Sequence, residues 1–155
     1  MLWSRYQDTS KSCWNTRKTR KTRNERFQRN VALSFLERAT KFQDLLVWRK
    51  SHAIVLAVYQ LTARFPKQET YGLASQMQRA AVSVPANIAE GFKRRGKPDK
   101  ARLMNIAQGS LEECRYFLIL AHDLGYADTN SLLAMADEVS RLLNSYTRQI
   151  LTNIQ

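Results

Sequence analysis

The sequence predicts an all-α protein: an antiparallel up-down-up-down four-helix bundle behind a basic, flexible N-terminal extension. Three observations predict it. Apolar residues recur at spacings of three and four in four long runs, which puts them on one face of each helix. The joints between runs are short and hold Pro, Gly, Asp and Asn, residues that end or cap helices. The reading leaves no strand anywhere. With 155 residues the chain suits one domain with a real core.

The extension is residues 1–41 and the bundle domain is residues 42–155. The first 41 residues hold eleven Lys or Arg and three acids, a net of +8 out of a formal +12 for the chain. The run NTRKTRKTRNERFQR (15–29) has almost nothing to bury, so it is expected to be disordered or conditionally helical. Val31, Leu33, Phe35 and Leu36 form a short apolar segment able to dock on the body. The extension reads either as a passive solubilising tail or as a nucleic-acid arm.

Helix one is expected over 44–64, with Gln43 or Asp44 at its start. Leu45, Trp48, Val55, Tyr59 and Thr62 make one stripe; Val47, Ile54, Val58, Leu61 and Phe65 make its neighbour. Phe65–Pro66 ends it. His52 falls between the stripes and reads as a packed or half-exposed histidine. Helix two starts within 69–72 and runs to about residue 95. Met77, Ala80, Ala81, Val84 and Ile88 share its inner face, and Pro85 is expected to kink or divide it near Ser83. Around the proline the side chains are small: Ala80, Ala81, Ser83, Ala86 and Ala89.

Helix three opens at Pro98 and Asp99, both suited to a first turn. Its apolar rhythm runs from Leu103 through Ile106, Leu111, Cys114 and Leu118 to Leu124. Gly109 and Ser110 lie mid-helix, where glycine costs about 1 kcal/mol relative to alanine, so a close helix crossing is expected there. Gly125 is placed as a cap. Helix four begins at Asp128, Thr129 or Asn130, and Leu133, Ala136, Val139, Leu143, Tyr146 and Ile150 form its stripe. Leu45, Val55, Val58, Leu61, Met77, Val84, Ile88, Ile106, Leu111, Leu118, Val139 and Leu143 are the expected core. Trp48, Tyr59, Phe92 and Tyr146 exceed what one bundle seam uses, which points to association of protomers.

The excess of 25 Lys and Arg over 13 Asp and Glu favours a polyanionic partner, nucleic acid first and an anionic membrane surface second. Cys13 and Cys114 make neither a disulfide framework nor a zinc site, so a reducing, cytoplasmic setting is expected. No apolar run is long enough to span a membrane. Two histidines exclude a multi-histidine metal centre, and no cofactor is expected. GFKRRGK (91–97) lacks the spacing of a phosphate loop and follows a helix rather than a strand. Ser75, Ser83 and Ser110 have no nearby histidine base. An enzyme is therefore disfavoured.

Three segments carry a resemblance: FQDLLVWRKSHAIVLAVYQLTARFP (42–66), YGLASQMQRAAVSVPANIAEGFKRRG (71–96) and ARLMNIAQGSLEECRYFLILAHDLGY (101–126). They closely resemble the bacterial four-helix bundle proteins encoded within intervening sequences of large-subunit ribosomal RNA genes. That family is in turn similar to the accessory variability protein of diversity-generating retroelements. The resemblance implies a four-helix protomer in a ring, usually a pentamer, with a basic surface and a central channel. Through the retroelement relatives it also implies binding of RNA or DNA and of a reverse transcriptase. Gln78–Arg79 stands where family members often have two arginines, and the basic extension has no counterpart in the family pattern.

Two functions compete on these residues. One is an oligomeric nucleic-acid-binding accessory protein, gripping phosphates with Arg79, Lys93, Arg94, Arg95, Lys97, Lys100 and Arg102. The basic turn also has a plainer reading, cationic capping of a helix C-terminus. The other function is a structural or adaptor oligomer that binds proteins alone. Pro85, Asn87, Glu90, Gly91, Gly109, Ser110 and Glu113 are read as motif, structural or interface residues. Asn87 is expected to hold the kinked helix or a subunit contact, and Glu90 to pair with Arg79 or a neighbouring subunit.

Overall fold

Four amphipathic faces have to be buried against one another, and a ring of four antiparallel helices does so. The computed structural model describes residues 39–152. The expectations for the basic extension, including the docking segment near Phe35, lie outside the described residues. A 3₁₀ turn, Phe42–Asp44, leads into α1 (Leu46–Thr62). A second 3₁₀ turn, Lys67–Thr70, leads into α2 (Leu73–Lys93); α3 (Lys97–Asp123) and α4 (Asn130–Thr152) follow. Each helix packs on its neighbours in sequence, and α1 closes the ring on α4. There is no strand among the described residues. No described helix is long and apolar enough to cross a membrane.

The core lies between the four stripes. Val58, Met77, Ile88, Ala107, Leu111, Cys114 and Leu118 are fully enclosed, and Leu45, Val55, Val84, Val139 and Leu143 join them as expected. Two expected core residues differ. Leu61 is only half-buried, and Ile106 is 42% exposed. Ala107 takes the inward position beside Ile106, which lies on the flank of a stripe that otherwise runs through Leu103, Leu111, Cys114 and Leu118 as expected. Tyr146 is buried in the core, so it is not surplus apolar surface.

Pro85 does not divide α2. The helix is continuous from Leu73 to Lys93 with Pro85 buried inside it. The proline removes one backbone donor. Asn87 adds donors in the same stretch: its Nδ2 gives hydrogen bonds to Ser83 O at 2.7 Å and Ser83 Oγ at 3.0 Å. Ser83 Oγ then meets Ser110 Oγ across the helix pair at 2.8 Å, and the Ser110 hydroxyl donates to Ile106 O. The polar chain runs from Asn87 on α2 to the backbone of α3.

Gly91 sets the separation of α2 and α3. A Cβ at Gly91 would stand 2.5 Å from Met104 Cε and 3.3 Å from Leu103 Cβ. Gly109, by contrast, is exposed, and a Cβ there would meet nothing. The close crossing expected at Gly109 is therefore at Gly91 within the protomer, two turns nearer the α2–α3 joint.

The other joints are closed by specific bonds. Gln78 Nε2 donates to Thr62 Oγ1 at 2.8 Å, tying α2 to α1. Gly125 takes φ +70, its N–H reaches His122 O, and Tyr126 N–H reaches Ala121 O, the paired bonds of a glycine-terminated helix. Glu69 accepts from Leu73 N–H through one oxygen and from the Tyr126 hydroxyl through the other. One carboxylate thus caps α2 and links the α1–α2 joint to the α3–α4 joint.

Gly91→Ala should destabilise the protein by about 1–3 kcal/mol, because overpacking at Met104 outweighs the gain in helix propensity. Urea unfolding followed by circular dichroism measures it, and an unchanged midpoint would mean that Met104 swings aside freely. A second outcome concerns pH. Burial pushes the Cys114 thiol up to about 12 and also raises Tyr146. A proton bound more tightly in the folded state gives stability that is complete below the unfolded pKa and falls as pH rises through the folded one. Stability should therefore decline from about pH 9 upward, and Cys114→Ala should flatten that decline in urea titrations at a series of alkaline pH values.

Candidate nucleic-acid interface

The joint between α2 and α3 is only Arg94, Arg95 and Gly96. It gathers bases from both flanking helices: Lys93 in the last turn of α2, Arg94 and Arg95 in the link, then Lys97, Lys100 and Arg102 in α3. Residues 90–102 hold these six bases and two acids, Glu90 and Asp99. Lys93, Arg94, Arg95 and Arg102 are exposed; Lys97 and Lys100 are half-buried.

The backbone explains the arrangement. Arg94 leaves the helix with φ −68 and ψ 140, so the chain is extended there. Arg94 and Arg95 both reach solvent from this link. Gly96 is not a left-handed cap for α2. It has φ −77 and is the N-cap of α3, its carbonyl accepting the Lys100 N–H at 3.0 Å. Pro98 and Asp99 occupy the first turn, as the sequence suggests.

Arg94 and Arg102 each meet an acid close by in sequence. Arg94 pairs with Glu90 one turn before it, and the hydrogen bond to Glu90 raises the pKa of its guanidinium. Glu90 therefore pairs with Arg94 and not with Arg79. Arg102 lies 3.8 Å from Asp99, a loose exposed pair. Arg79 is exposed but far from the cluster: fourteen residues of helix separate it from Lys93, about 21 Å. The structure gathers the other six predicted residues and leaves Arg79 out.

The helix dipole separates two explanations of the cluster. A cation in the last turn of a helix is favourable, which accounts for Lys93. A cation in the first turn is unfavourable, and Lys97 and Lys100 both sit there beside Asp99. Helix capping explains one base, not the group.

The remaining motif residues sort by position. Pro85 is buried, Asn87 and Ser110 belong to the polar chain, and Gly91 lies under Met104. Gly109 and Glu113 are on the outer side of α3. Apolar side chains also reach solvent: Leu46, Leu56 and Tyr59 on α1, Val82 on α2, and Ile106 on α3. Sequence reasoning missed an aromatic group at the start of α1. Trp48 stacks on His52, and Phe42 meets Trp48 edge-on. The spacing of Trp48 and His52, one helical turn, was the available signal.

The family model for the 23S rRNA-intervening sequence protein matches residues 43–145. No curated protein matches the chain. Among solved structures the fold is similar to that of a protein of unknown function from the S23 ribosomal protein family of Bacteroides thetaiotaomicron. The two are 24% identical with a TM-score of 0.62, over 66% of this chain and 96% of that one. That likeness is one of fold.

Proposed function

The chain belongs to the 23S rRNA-intervening sequence protein family, and on that premise we propose that it is an oligomeric accessory protein that binds RNA or DNA by the phosphate backbone. Lys93, Arg94, Arg95, Lys97, Lys100 and Arg102 make the contacts. The observation that carries the reading is the gathering of six bases against two acids across one three-residue joint. A bound polyanion would offset their mutual repulsion. Guanidinium groups suit phosphate because they donate two parallel hydrogen bonds. Arg94 is shared with Glu90, so a phosphate there must compete with a carboxylate or use the remaining donors. Such contacts position a nucleic acid without reading its bases.

The proposal includes self-association, in a ring of five protomers, and a reverse transcriptase as protein partner. The ring and the polymerase rest on the resemblance. Association is supported by the exposed Leu46, Leu56, Tyr59, Val82 and Ile106, and by the open surface over Gly109. Repeating a modest basic loop around an axis would let several weak contacts act as one strong one. The protein is read as a binder and not an enzyme: its described thiol, Cys114, is buried and held protonated. The same exposed apolar residues favour a second reading, a structural or adaptor oligomer that binds proteins without nucleic acid.

Converting Arg94, Arg95 and Lys97 together to Gln should weaken RNA and DNA alike. It should reduce the slope of log affinity against log salt by about 2–3, at 0.7–0.9 per phosphate contact. The comparison belongs on the full chain and on a chain starting at Thr40, the first residue of the compact unit that holds the bundle. Unchanged affinity in the shorter chain would move the site elsewhere. Light scattering at micromolar concentration should report an assembly. A monomer rejects association, a dimer rejects only the ring, and an assembly lost with the triple substitution makes those bases interface residues.

A further inference from the structure

Phe42, Trp48 and His52 form a short aromatic ladder on the outside of the bundle. The Trp48 and His52 rings are nearly parallel, 9° apart with centroids 5.0 Å apart. The Phe42 ring meets Trp48 at 5.1 Å and 63°. Phe42 and Trp48 are half-buried, while His52 is exposed. No hydrogen bond to another described residue holds the imidazole, so its orientation comes from the stack. One face of His52 lies on Trp48, and the residue is exposed.

The ladder stands at the same end of the bundle as the basic loop. The Thr62–Gln78 bond fixes the register of the antiparallel pair α1 and α2. Counting about 14 residues back along α1 and forward along α2, at the same rise per residue, brings Trp48 level with Phe92. Lys93 and the loop follow Phe92 directly. The Phe42–Asp44 turn also packs on α2. Lys41 and Arg49 are exposed beside the ladder, and Arg49 lies one turn from His52 on the solvent side of α1.

We propose that the outer face of His52 takes a nucleobase of a single-stranded nucleic acid whose phosphates lie along the Lys93–Arg102 loop. The inference rests on the nucleic-acid reading above and adds a strand preference. An aromatic platform beside a basic groove suits single strands, because any base offers a flat face to it. A duplex keeps its bases stacked on one another and offers no such face. The ladder therefore selects unpaired nucleic acid with little choice among bases.

The experiment uses the full chain with Trp3→Phe and Trp14→Phe, which leaves Trp48 as the single tryptophan. The probes are an oligothymidylate and an abasic oligodeoxynucleotide of equal length. The oligothymidylate should quench Trp48 and bind about 5- to 150-fold more tightly than its abasic counterpart, the range expected of one stacked base. His52→Ala should bring the two affinities together without changing that for the abasic strand. His52→Tyr should keep the preference, because a flat ring remains. Equal binding of both probes by the parent, or a preference that survives His52→Ala, would overturn the platform and leave phosphate binding standing. Failure of both probes to bind would remove the nucleic-acid reading and the platform with it.

Discussion

The approach of α2 to α3 at Gly91 is the constraint on which the rest depends. With no side chain at Gly91, Leu103 and Met104 close over the end of α2. The two helices are then near enough for a link of three residues. A longer link could spread its charges over a mobile loop. A link this short holds Lys93 and Lys97 on neighbouring helix ends. It also leaves Arg94 and Arg95 exposed between them. The closeness of these charges thus depends on tight apolar packing one turn away.

Much of the fold was legible because helical periodicity reports burial directly. The stripe through Val55, Val58, Met77, Val84, Ile88, Leu111, Leu118, Val139 and Leu143 reads the same in sequence and structure. The misreadings share one physical cause. Residue type states what a position tolerates, not what stands opposite it. Ile106 is large and apolar, yet Ala107 faces the core. Gly109 looked like a crossing point, but the partner helix comes close at Gly91 instead. Pro85 looked like a break, and the Asn87 side chain adds hydrogen bonds in the turn it occupies.

The candidate site was legible in part for the same reason. A run such as Lys93–Arg94–Arg95 shows itself in any reading, because neighbours in sequence stay neighbours in space. The distance to Arg79 was not visible while Pro85 left the helix between Arg79 and Lys93 open to a break. Nor was the partner of Glu90, which Arg94 captures by lying one turn away at the edge of α2. The ladder of Phe42, Trp48 and His52 was missed because an exposed histidine carries no signal in a hydrophobic pattern.

The shared carboxylate of Glu69 has a mechanical consequence. Two helical hairpins, α1–α2 and α3–α4, are joined by main chain only at the Arg94–Gly96 link. Were that the sole tie, the hairpins could hinge about it and open at the opposite end. Tyr126 grips Glu69 there, and Phe65 lies against Tyr126 with ring centroids 5.5 Å apart. A side-chain clasp at one end and a covalent joint at the other close both ends of a seam that the apolar core and the Ser83–Ser110 bond already hold between them. Forces applied at the basic loop are then borne by the whole bundle rather than spent in parting its halves.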